Sequence, residues 1–301
     1  MITGIDIVKD FDGLKALDGA SFTVETGSVY GLVGPNGSGK STLIRHIMGI
    51  FEPDAGTLNI DGETVFENPS VKAKMAYVPD DIYYMSGATV TDMAKLYAGV
   101  YPGFDRERLG RLLEAFPAIH EKSSFRKMSK GMQKQASVLL ALSCRADILV
   151  LDEPMDGLDP LARHNIWKVI LESVAEEGTT VLVSSHNLRE LEDVCDHIGI
   201  MDHGRIIDER DMTETQGDMV KCSIAYEEER DLPGLGDEIT ILHQTKSGRM
   251  FTLILRGDRT LIEEKLAETN PVFVDYVPLT LEEIFIHEVG GENDAIQNIL
   301  G

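Results

Sequence analysis

Residues 34–42 read Gly34-Pro35-Asn36-Gly37-Ser38-Gly39-Lys40-Ser41-Thr42, a glycine-rich stretch that ends in a lysine and two hydroxyl side chains. The stretch follows the apolar run Val29–Val33, which predicts a buried strand. It precedes apolar residues at helical spacing: Leu43, Ile44, Ile47 and Met48. The order strand, glycine-rich loop, helix is that of the pattern G-x-x-x-x-G-K-[ST], and all of its fixed positions are present. The sequence therefore predicts an α/β fold built around a phosphate-binding loop.

The residue types of this loop suit the binding of a nucleoside triphosphate. Glycines allow backbone N–H groups to close around phosphates, and the N-terminus of the following helix adds partial positive charge. Lys40 is expected to reach the β- and γ-phosphates, and the Ser41 hydroxyl is expected to bind Mg²⁺. A merely flexible turn would not need the strand before the loop or the helix after it. We therefore predict that residues 34–42 bind ATP or GTP.

A second apolar strand is predicted at Ile148–Leu151, and two acids, Asp152 and Glu153, follow it directly. In proteins with a phosphate-binding loop, an aspartate at the end of a neighbouring strand completes the Mg²⁺ shell. A glutamate next to it can polarise the attacking water as a general base. Acidic strand ends that face solvent are common, but this strand is apolar throughout and the phosphate loop requires a metal-binding partner. We therefore predict that Asp152 binds the metal and that Glu153 is catalytic.

The remaining patterns divide the chain into two predicted domains. Alternating apolar residues between Ile2 and Tyr30 predict an N-terminal antiparallel β subdomain. The apolar strands Ile148–Leu151 and Thr180–Val183, with a helical stretch between them, indicate a parallel sheet covered on both faces. Further along the chain, acidic loops, paired strands and short helices, the last at Leu281–Val289, predict a small α+β domain. The predicted bounds are 1–212 for the first domain, with a helical subdomain at about 86–145, and 213–301 for the second.

Four further motifs resemble those of one family. Residues 128–133 read Met128-Ser129-Lys130-Gly131-Met132-Gln133 and resemble the signature sequence of ATP-binding cassette (ABC) proteins. Gly157-Leu158-Asp159 resembles the D-loop of that family, and Ser185-His186 resembles its switch histidine. Phe11 stands where the family has an aromatic residue that stacks on adenine. With the phosphate loop and the Asp152-Glu153 strand, these motifs make about residues 1–210 similar to an ABC transporter ATPase.

The resemblance implies a cassette with a mixed-sheet core, an N-terminal antiparallel β subdomain and a helical signature subdomain. It also implies that ATP and Mg²⁺ are the cofactors. By the same resemblance, Phe11 stacks on the base, and His186 contacts the γ-phosphate beside the general base Glu153. The residues expected to complete the nucleotide site from the signature and the D-loop are Ser129, Lys130, Gly131, Met132 and Asp159.

Two positions depart from the family pattern. Asp80 occupies the place where most members carry a glutamine after a strand. A carboxylate is a suitable Mg²⁺ ligand, although it donates no hydrogen bond to water, so we expect Asp80 to contact the metal. Lys130 places a cation in the signature, where it faces either the γ-phosphate or solvent.

The resemblance also implies partners. In cassettes of this kind, the signature of one subunit completes the ATP site of another, head to tail. The sequence contains one phosphate loop and one signature, which implies a homodimer or a heterodimer with another cassette. Taken together, the cassette, the Ser-Lys-Gly-Met form of the signature and the appended C-terminal domain resemble bacterial ABC-2-type exporter ATPases, which work with a separate multi-spanning permease. We therefore expect an export ATPase that is peripheral on the cytoplasmic face of the membrane through its permease.

The composition limits the alternatives. Lys and Arg total 28 against 51 Asp and Glu, a formal net charge of −23, which disfavours a nucleic-acid-binding face. No apolar run approaches the ~18 residues of a bilayer span, so we expect no direct membrane insertion. The three cysteines suit a reducing cytoplasmic compartment. Two alternatives stay open: a soluble cassette that acts on DNA or ribosomes, and a nucleotide-gated regulator that transports nothing.

Overall fold

The computed structural model describes residues 1–212, 219–280, 283, 284 and 287. The chain divides into two compact units, Met1–Met212 and Thr213–Leu300, and each is described by itself. The first unit contains two sheets and the helices around them. The second contains one sheet and a helix that packs on it.

An antiparallel sheet forms the N-terminal part of the first unit, as the alternating pattern predicts. Its strands are β1 (Ile2–Phe11), β2 (Leu14–Val24), β4 (Ala55–Ile60) and β5 (Glu63–Thr64), in the order β2-β1-β4-β5. The inward side chains of β1, among them Ile2 and Ile7, are fully buried. They share one apolar core with Leu43 and Ile44, which follow the phosphate loop. This shared core fixes the antiparallel sheet against the loop.

A six-stranded sheet forms the centre of the first unit. Its strands are β3 (Val29–Val33), β6 (Met75–Val78), β7 (Ile148–Leu151), β8 (Thr180–Ser185), β9 (His197–Asp202) and β10 (Arg205–Asp211), in the order β10-β9-β3-β8-β7-β6. The pairs from β9 to β6 are parallel, and β10 pairs antiparallel with β9. Strands β3, β7 and β8 are buried at every position, which explains their continuous apolar runs. The carboxyl ends of β3, β7 and β8 therefore meet at one edge of the sheet.

Helices connect the strands of the first unit. They are α1 (Lys40–Ile47), α2 (Pro69–Lys72), α3 (Val90–Val100), α4 (Arg106–Ala115), α5 (Lys130–Leu142) and α6 (Pro160–Glu177). Each of the helices α3 to α6 is capped by a polar side chain that accepts a hydrogen bond from a backbone N–H of the first turn. The capping residues are Thr89 at α3, Asp105 at α4, Ser129 at α5 and Asp159 at α6. Helices α3 to α5 lie in the segment that was predicted to be helical. The α/β fold with a mixed sheet and a helical segment is confirmed.

The second unit is a four-stranded antiparallel sheet in the order β12-β13-β11-β14. Its elements are β11 (Met219–Ala225), β12 (Thr240–Ser247), β13 (Met250–Arg256), α7 (Arg259–Glu268) and β14 (Phe273–Val277). Helix α7 buries Ile262 and Leu266 against this sheet. Residues 213–218 lie outside the described residues, and so does the predicted helix Leu281–Val289 apart from positions 283, 284 and 287.

Within the described ranges, the helices are all too short or too polar to cross a lipid bilayer.

The three cysteines are buried thiols. Cys144 and Cys195 lie in the first unit, and Cys222 lies in the core of the second. Burial raises the pKa of Cys144 to about 12 and that of Cys222 to about 11, and it also raises the pKa of Cys195. Because a thiolate is the reactive species, the neutral thiols should resist modification.

We therefore expect all three cysteines to react with a thiol reagent at pH 8 at least about 100-fold more slowly than free cysteine. The whole set should become reactive when urea unfolds the chain. The measurement is the release of the coloured thiolate from Ellman's reagent before and after unfolding. Rapid reaction of one thiol in the folded chain would contradict the burial described here.

Candidate functional site

The glycine-rich loop runs from the end of β3 to the start of α1. Gly37 and Gly39 have φ angles of +88° and +110°, in the left-handed region that favours glycine. A Cβ added to Gly34 would lie 2.2 Å from the carbonyl oxygen of Met201. Side chains at these positions would therefore strain the loop or collide with the adjacent strand. Around them, Pro35 is partly buried, whereas Asn36 and Gly37 are exposed on the outside of the loop.

Ser38 gives an independent indication that this loop binds a polar ligand. Its side chain is 3% exposed, and its hydroxyl oxygen has no hydrogen-bond partner in the part of the chain that the structure describes. A buried hydroxyl without a partner is costly, so such groups are normally satisfied by protein, water or ligand. Helix α1 begins at Lys40, immediately after the loop, and Thr42 lies in its first turn. The loop thus fits a phosphate group.

Lys40 supplies the positive charge of the loop. Its side chain is buried, and its ammonium donates to the carbonyl oxygen of Gly34 at 2.6 Å. The same nitrogen lies 3.3 Å from a carboxylate oxygen of Glu153, at the end of β7. The pair joins two residues that the sequence assigned to one site. A triphosphate that uses Lys40 must compete with Glu153 for it.

Asp152 lies beside Ser41, as a shared metal site requires. The Ser41 hydroxyl donates to Asp152 Oδ1 at 3.3 Å, and the buried Ser184 hydroxyl donates to the same oxygen at 2.7 Å. Burial raises the pKa of the Asp152 carboxyl, and the hydrogen bonds from Ser184 and Ser41 offset part of this effect. The neighbouring charges of Glu153 and Asp80 raise it further. Oxygen donors with an excess of negative charge suit Mg²⁺, so Ser41 and Asp152 are fitted to hold it.

Glu153 has an unusual backbone for a glutamate. Its φ angle is 47°, a left-handed conformation that costs on the order of 1 kcal/mol or more for a residue with a side chain. Its N–H donates to the Ser184 hydroxyl at 2.9 Å, and its carbonyl accepts from the Lys134 ammonium at 2.6 Å. Contacts on both sides of the residue therefore hold the conformation.

His186 follows β8 and lies next to the Glu153 carboxylate. Its ring nitrogen Nδ1 is 2.9 Å from Glu153 Oε2, and its backbone N–H donates to the same oxygen at 3.3 Å. The histidine is largely exposed, whereas the carboxylate is mostly buried. The carboxylate can accept a proton from a water molecule, and the histidine can orient the carboxylate and contact a bound phosphate.

The signature residues occupy the start of α5. The Ser129 hydroxyl accepts a hydrogen bond from the backbone N–H of Met132 at 3.2 Å, and Ser129 and Lys130 are both exposed. A Cβ added to Gly131 would lie 3.0 Å from the carbonyl oxygen of Gly157, so the signature packs against the D-loop of the same chain. Asp159 in that D-loop caps α6 by accepting from the N–H of Ala162 at 2.9 Å. Ser129 and Lys130 thus lie at an exposed helix start, where the helix dipole places partial positive charge.

Phe11 lies at the end of β1 and is 39% exposed. The ring of Phe51 packs edge-on against it, with ring centroids 5.5 Å apart. The Lys9 ammonium lies 5.7 Å from the Phe11 centroid. This support leaves part of the ring available for stacking on a base.

The Asp80 side chain follows β6, and its charge lies near enough to Asp152 to raise the pKa of that carboxyl. Its carboxylate oxygen Oδ1 accepts a hydrogen bond from the Lys134 ammonium at 3.0 Å. Its role as a metal contact therefore stays a prediction.

Three residues of this region were missed by sequence reasoning: Ser184, Lys134 and Phe51. A hydroxyl side chain at the end of an apolar strand is a signal that could have identified Ser184. Lys134 and Phe51 have no comparable signal in the sequence.

Comparisons with known proteins show which family the chain is similar to. The family model described as "ABC transporter" matches residues 17–156. The chain is 31% identical over 292 residues to the ABC transporter ATP-binding protein YtrB of Bacillus subtilis (strain 168), covering 97% of this chain and 99% of that protein. The chain belongs to the ABC transporter ATP-binding proteins.

Two further relatives refine this assignment. This ABC protein is 32% identical over 297 residues to the Nod factor export ATP-binding protein I of Ralstonia nicotianae. The matched region covers 94% of this chain and 92% of the relative. The solved structure of an ATP-binding subunit of an ABC transporter is 29% identical in sequence and superposes with a TM-score of 0.66. The superposed region covers 72% of this chain and 92% of the solved chain. The relatives are thus ATP-binding subunits of ABC transporters, and one of them is named for export.

Proposed function

We propose that this chain binds ATP with Mg²⁺ and hydrolyses it as the nucleotide-binding subunit of an ABC exporter. The observation that carries the proposal is a set of three contacts at one edge of the sheet: Lys40 with Glu153, Ser41 with Asp152, and His186 with Glu153. Lys40 and the loop amides hold the phosphates, and Ser41 and Asp152 hold the metal. Glu153 is the general base, and His186 positions the γ-phosphate and the attacking water.

The working unit is a dimer that closes around ATP. Ser129 and Lys130 are exposed at the start of α5, where a second subunit can reach them. A γ-phosphate held by the loop of one subunit needs donors on its far side, and the start of α5 from the other subunit supplies them. One loop and one signature per chain give two such sites in a homodimer, and pairing with a different cassette gives the same geometry. In this arrangement Phe11 stacks on the base, while Gly131, Met132 and Asp159 complete the site.

The transport partner is a multi-spanning permease, which keeps the subunit on the cytoplasmic face of the membrane. The name of the Ralstonia relative supports export. An apolar surface beside Asp80 supports a docking site for this partner: Tyr83 is 76% exposed and Met85 is 39% exposed. Their neighbour Tyr84 stacks on the buried Phe125, with centroids 5.4 Å apart, which anchors the segment.

Purification of the tagged chain from detergent-solubilised membranes of its own cell tests this function. We expect a membrane protein with several spanning segments to copurify, and the complex to hydrolyse ATP. The double substitution Tyr83→Ala with Met85→Ala should reduce the captured permease by at least about tenfold, because exposed aromatic and methionine side chains carry much of an interface's binding energy. Ile5→Ala, which alters an exposed apolar residue of β1, should leave capture unchanged. Recovery of ribosomes, DNA or a soluble protein in place of a membrane chain would contradict the transport function.

A further inference from the structure

Lys134 is a buried cation that joins three elements of the site. Its side chain is only 7% exposed, and it projects from α5, the helix that begins with the signature. The ammonium donates to the carbonyl oxygen of Glu153 at 2.6 Å and to Asp80 Oδ1 at 3.0 Å. It therefore links the ends of β6 and β7 to the signature helix.

The hydrogen bond from Lys134 is made to the backbone carbonyl of Glu153, the residue with the strained left-handed conformation. A left-handed backbone at a glutamate persists only where surrounding groups hold it in place. Ser184 holds the N–H of Glu153, and Lys134 holds its carbonyl. Without the lysine, the carbonyl of Glu153 keeps the longer hydrogen bond from the Asp156 N–H, at 3.3 Å. The peptide that follows Glu153 is then held less firmly, and the direction of the carboxylate can change with it.

Asp80 gives the buried ammonium its counter-charge. A buried cation is stable only when it is paired and hydrogen-bonded. The glutamine that most members of the family carry at this position offers an amide oxygen but no charge. The dependence runs one way: the buried ammonium needs the charge of Asp80, whereas the Asp80 side chain is 53% exposed and is also solvated by water.

We propose that Lys134 is a positioning residue that holds Glu153 in its working conformation and ties it to the signature helix. This inference rests on the proposed function, in which Glu153 is the general base. Lys134 lies five residues after Ser129, a distance of roughly 7.5 Å along the helix. A displacement of α5 when Ser129 meets the nucleotide of a second subunit therefore moves the ammonium that holds Glu153. Formation of the active dimer and the orientation of the Glu153 carboxylate are therefore coupled through the Lys134 side chain.

The substitution Lys134→Met tests the inference because it keeps the apolar stem and removes the ammonium. We expect kcat to fall by roughly 10²-fold, the loss that a displacement of about 1 Å in a catalytic group can cause. The KM for ATP should stay within about threefold, since the lysine does not act on the phosphates. Binding of a fluorescent ATP analogue in EDTA, which requires neither metal nor turnover, should also be unchanged.

A matched control separates positioning from stability. Lys72 donates to the carbonyl oxygen of Gly49 at 2.7 Å, the same type of bond at a site away from Glu153. Lys72→Met should leave kcat within about twofold, with the melting temperature measured for both variants. If Lys134→Met does not fold, Lys134→Gln keeps an N–H donor for the carbonyl, and kcat should then fall by a smaller factor at unchanged KM.

Different results would overturn the proposed ATPase function and the positioning role of Lys134. A wild-type chain without ATPase activity, alone and with its permease, overturns the proposed function and this inference with it. If the wild-type chain is active but Lys134→Met keeps the kcat of Lys72→Met, the inference alone is wrong. Equal changes in kcat, KM and metal-free nucleotide binding would also overturn it, because they would show a general structural role.

Discussion

We expect the replacement of Glu153 with glutamine to reduce ATP turnover by about 10³-fold, within the range that a general base contributes. The amide keeps the size of the side chain but cannot accept a proton from water. ATP binding should be retained, because in the proposed site the phosphates are held by Lys40 and the loop rather than by Glu153. Loss of the carboxylate also frees Lys40 from the ion pair at 3.3 Å, so affinity for ATP should not decrease.

Phosphate release and calorimetric ATP binding, measured on the same preparation, test this expectation. Glu172→Gln is a suitable control, since Glu172 is a half-exposed acid on α6 that pairs with Lys168. It should hydrolyse ATP at the wild-type rate. Ordinary turnover by Glu153→Gln would remove Glu153 from the general-base role.

We expect the replacement of Lys40 with methionine to weaken ATP binding on the order of 10²-fold or more, because the proposed contact of a buried charge with the phosphates is lost. The lysine is buried at the start of α1. No other residue of the loop 34–42 is charged, so no other side chain of the loop can replace it. The loss of binding abolishes turnover as well. This outcome differs from that of Glu153→Gln, which removes turnover alone.

Titration calorimetry with ATP measures the affinity, and Arg45→Met provides the control. Arg45 is an exposed cation on the same helix, so its removal tests the effect of net charge without touching the loop. Its affinity for ATP should stay within about threefold of the wild-type value. An unchanged affinity in Lys40→Met would mean that the glycine-rich loop does not bind the triphosphate.

Much of this site was predictable because the phosphate loop and the two acids follow buried parallel strands. Continuous apolar runs marked β3, β7 and β8, and the carboxyl ends of parallel strands meet at one edge of a sheet. Lys40, Ser41, Asp152, Glu153 and His186 were all expected on this basis, or from the family resemblance, and the structure brings them together. The antiparallel N-terminal sheet also followed from its alternating pattern.

The remaining contacts depend on tertiary structure, which no local pattern encodes. Lys134 is 54 residues from Asp80 and 19 residues from Glu153 along the chain. A lysine in a helix normally indicates an exposed face, so its burial gave no signal. The same is true of Phe51, whose ring supports Phe11 across 40 residues of sequence. Asp80 was interpreted from position alone, and its partner became visible only in the fold.

The central claim is that two subunits close around ATP, with the loop of one and the signature of the other on the same nucleotide. The most direct measurement is the mass of Glu153→Gln by light scattering, with and without ATP and Mg²⁺. We expect twice the 33.2 kDa mass of the chain with ATP, and a return to the single mass when Ser129 is also replaced with a bulky residue. A nucleotide-loaded chain that keeps the single mass, both alone and with its permease or another cassette present, would contradict the claim.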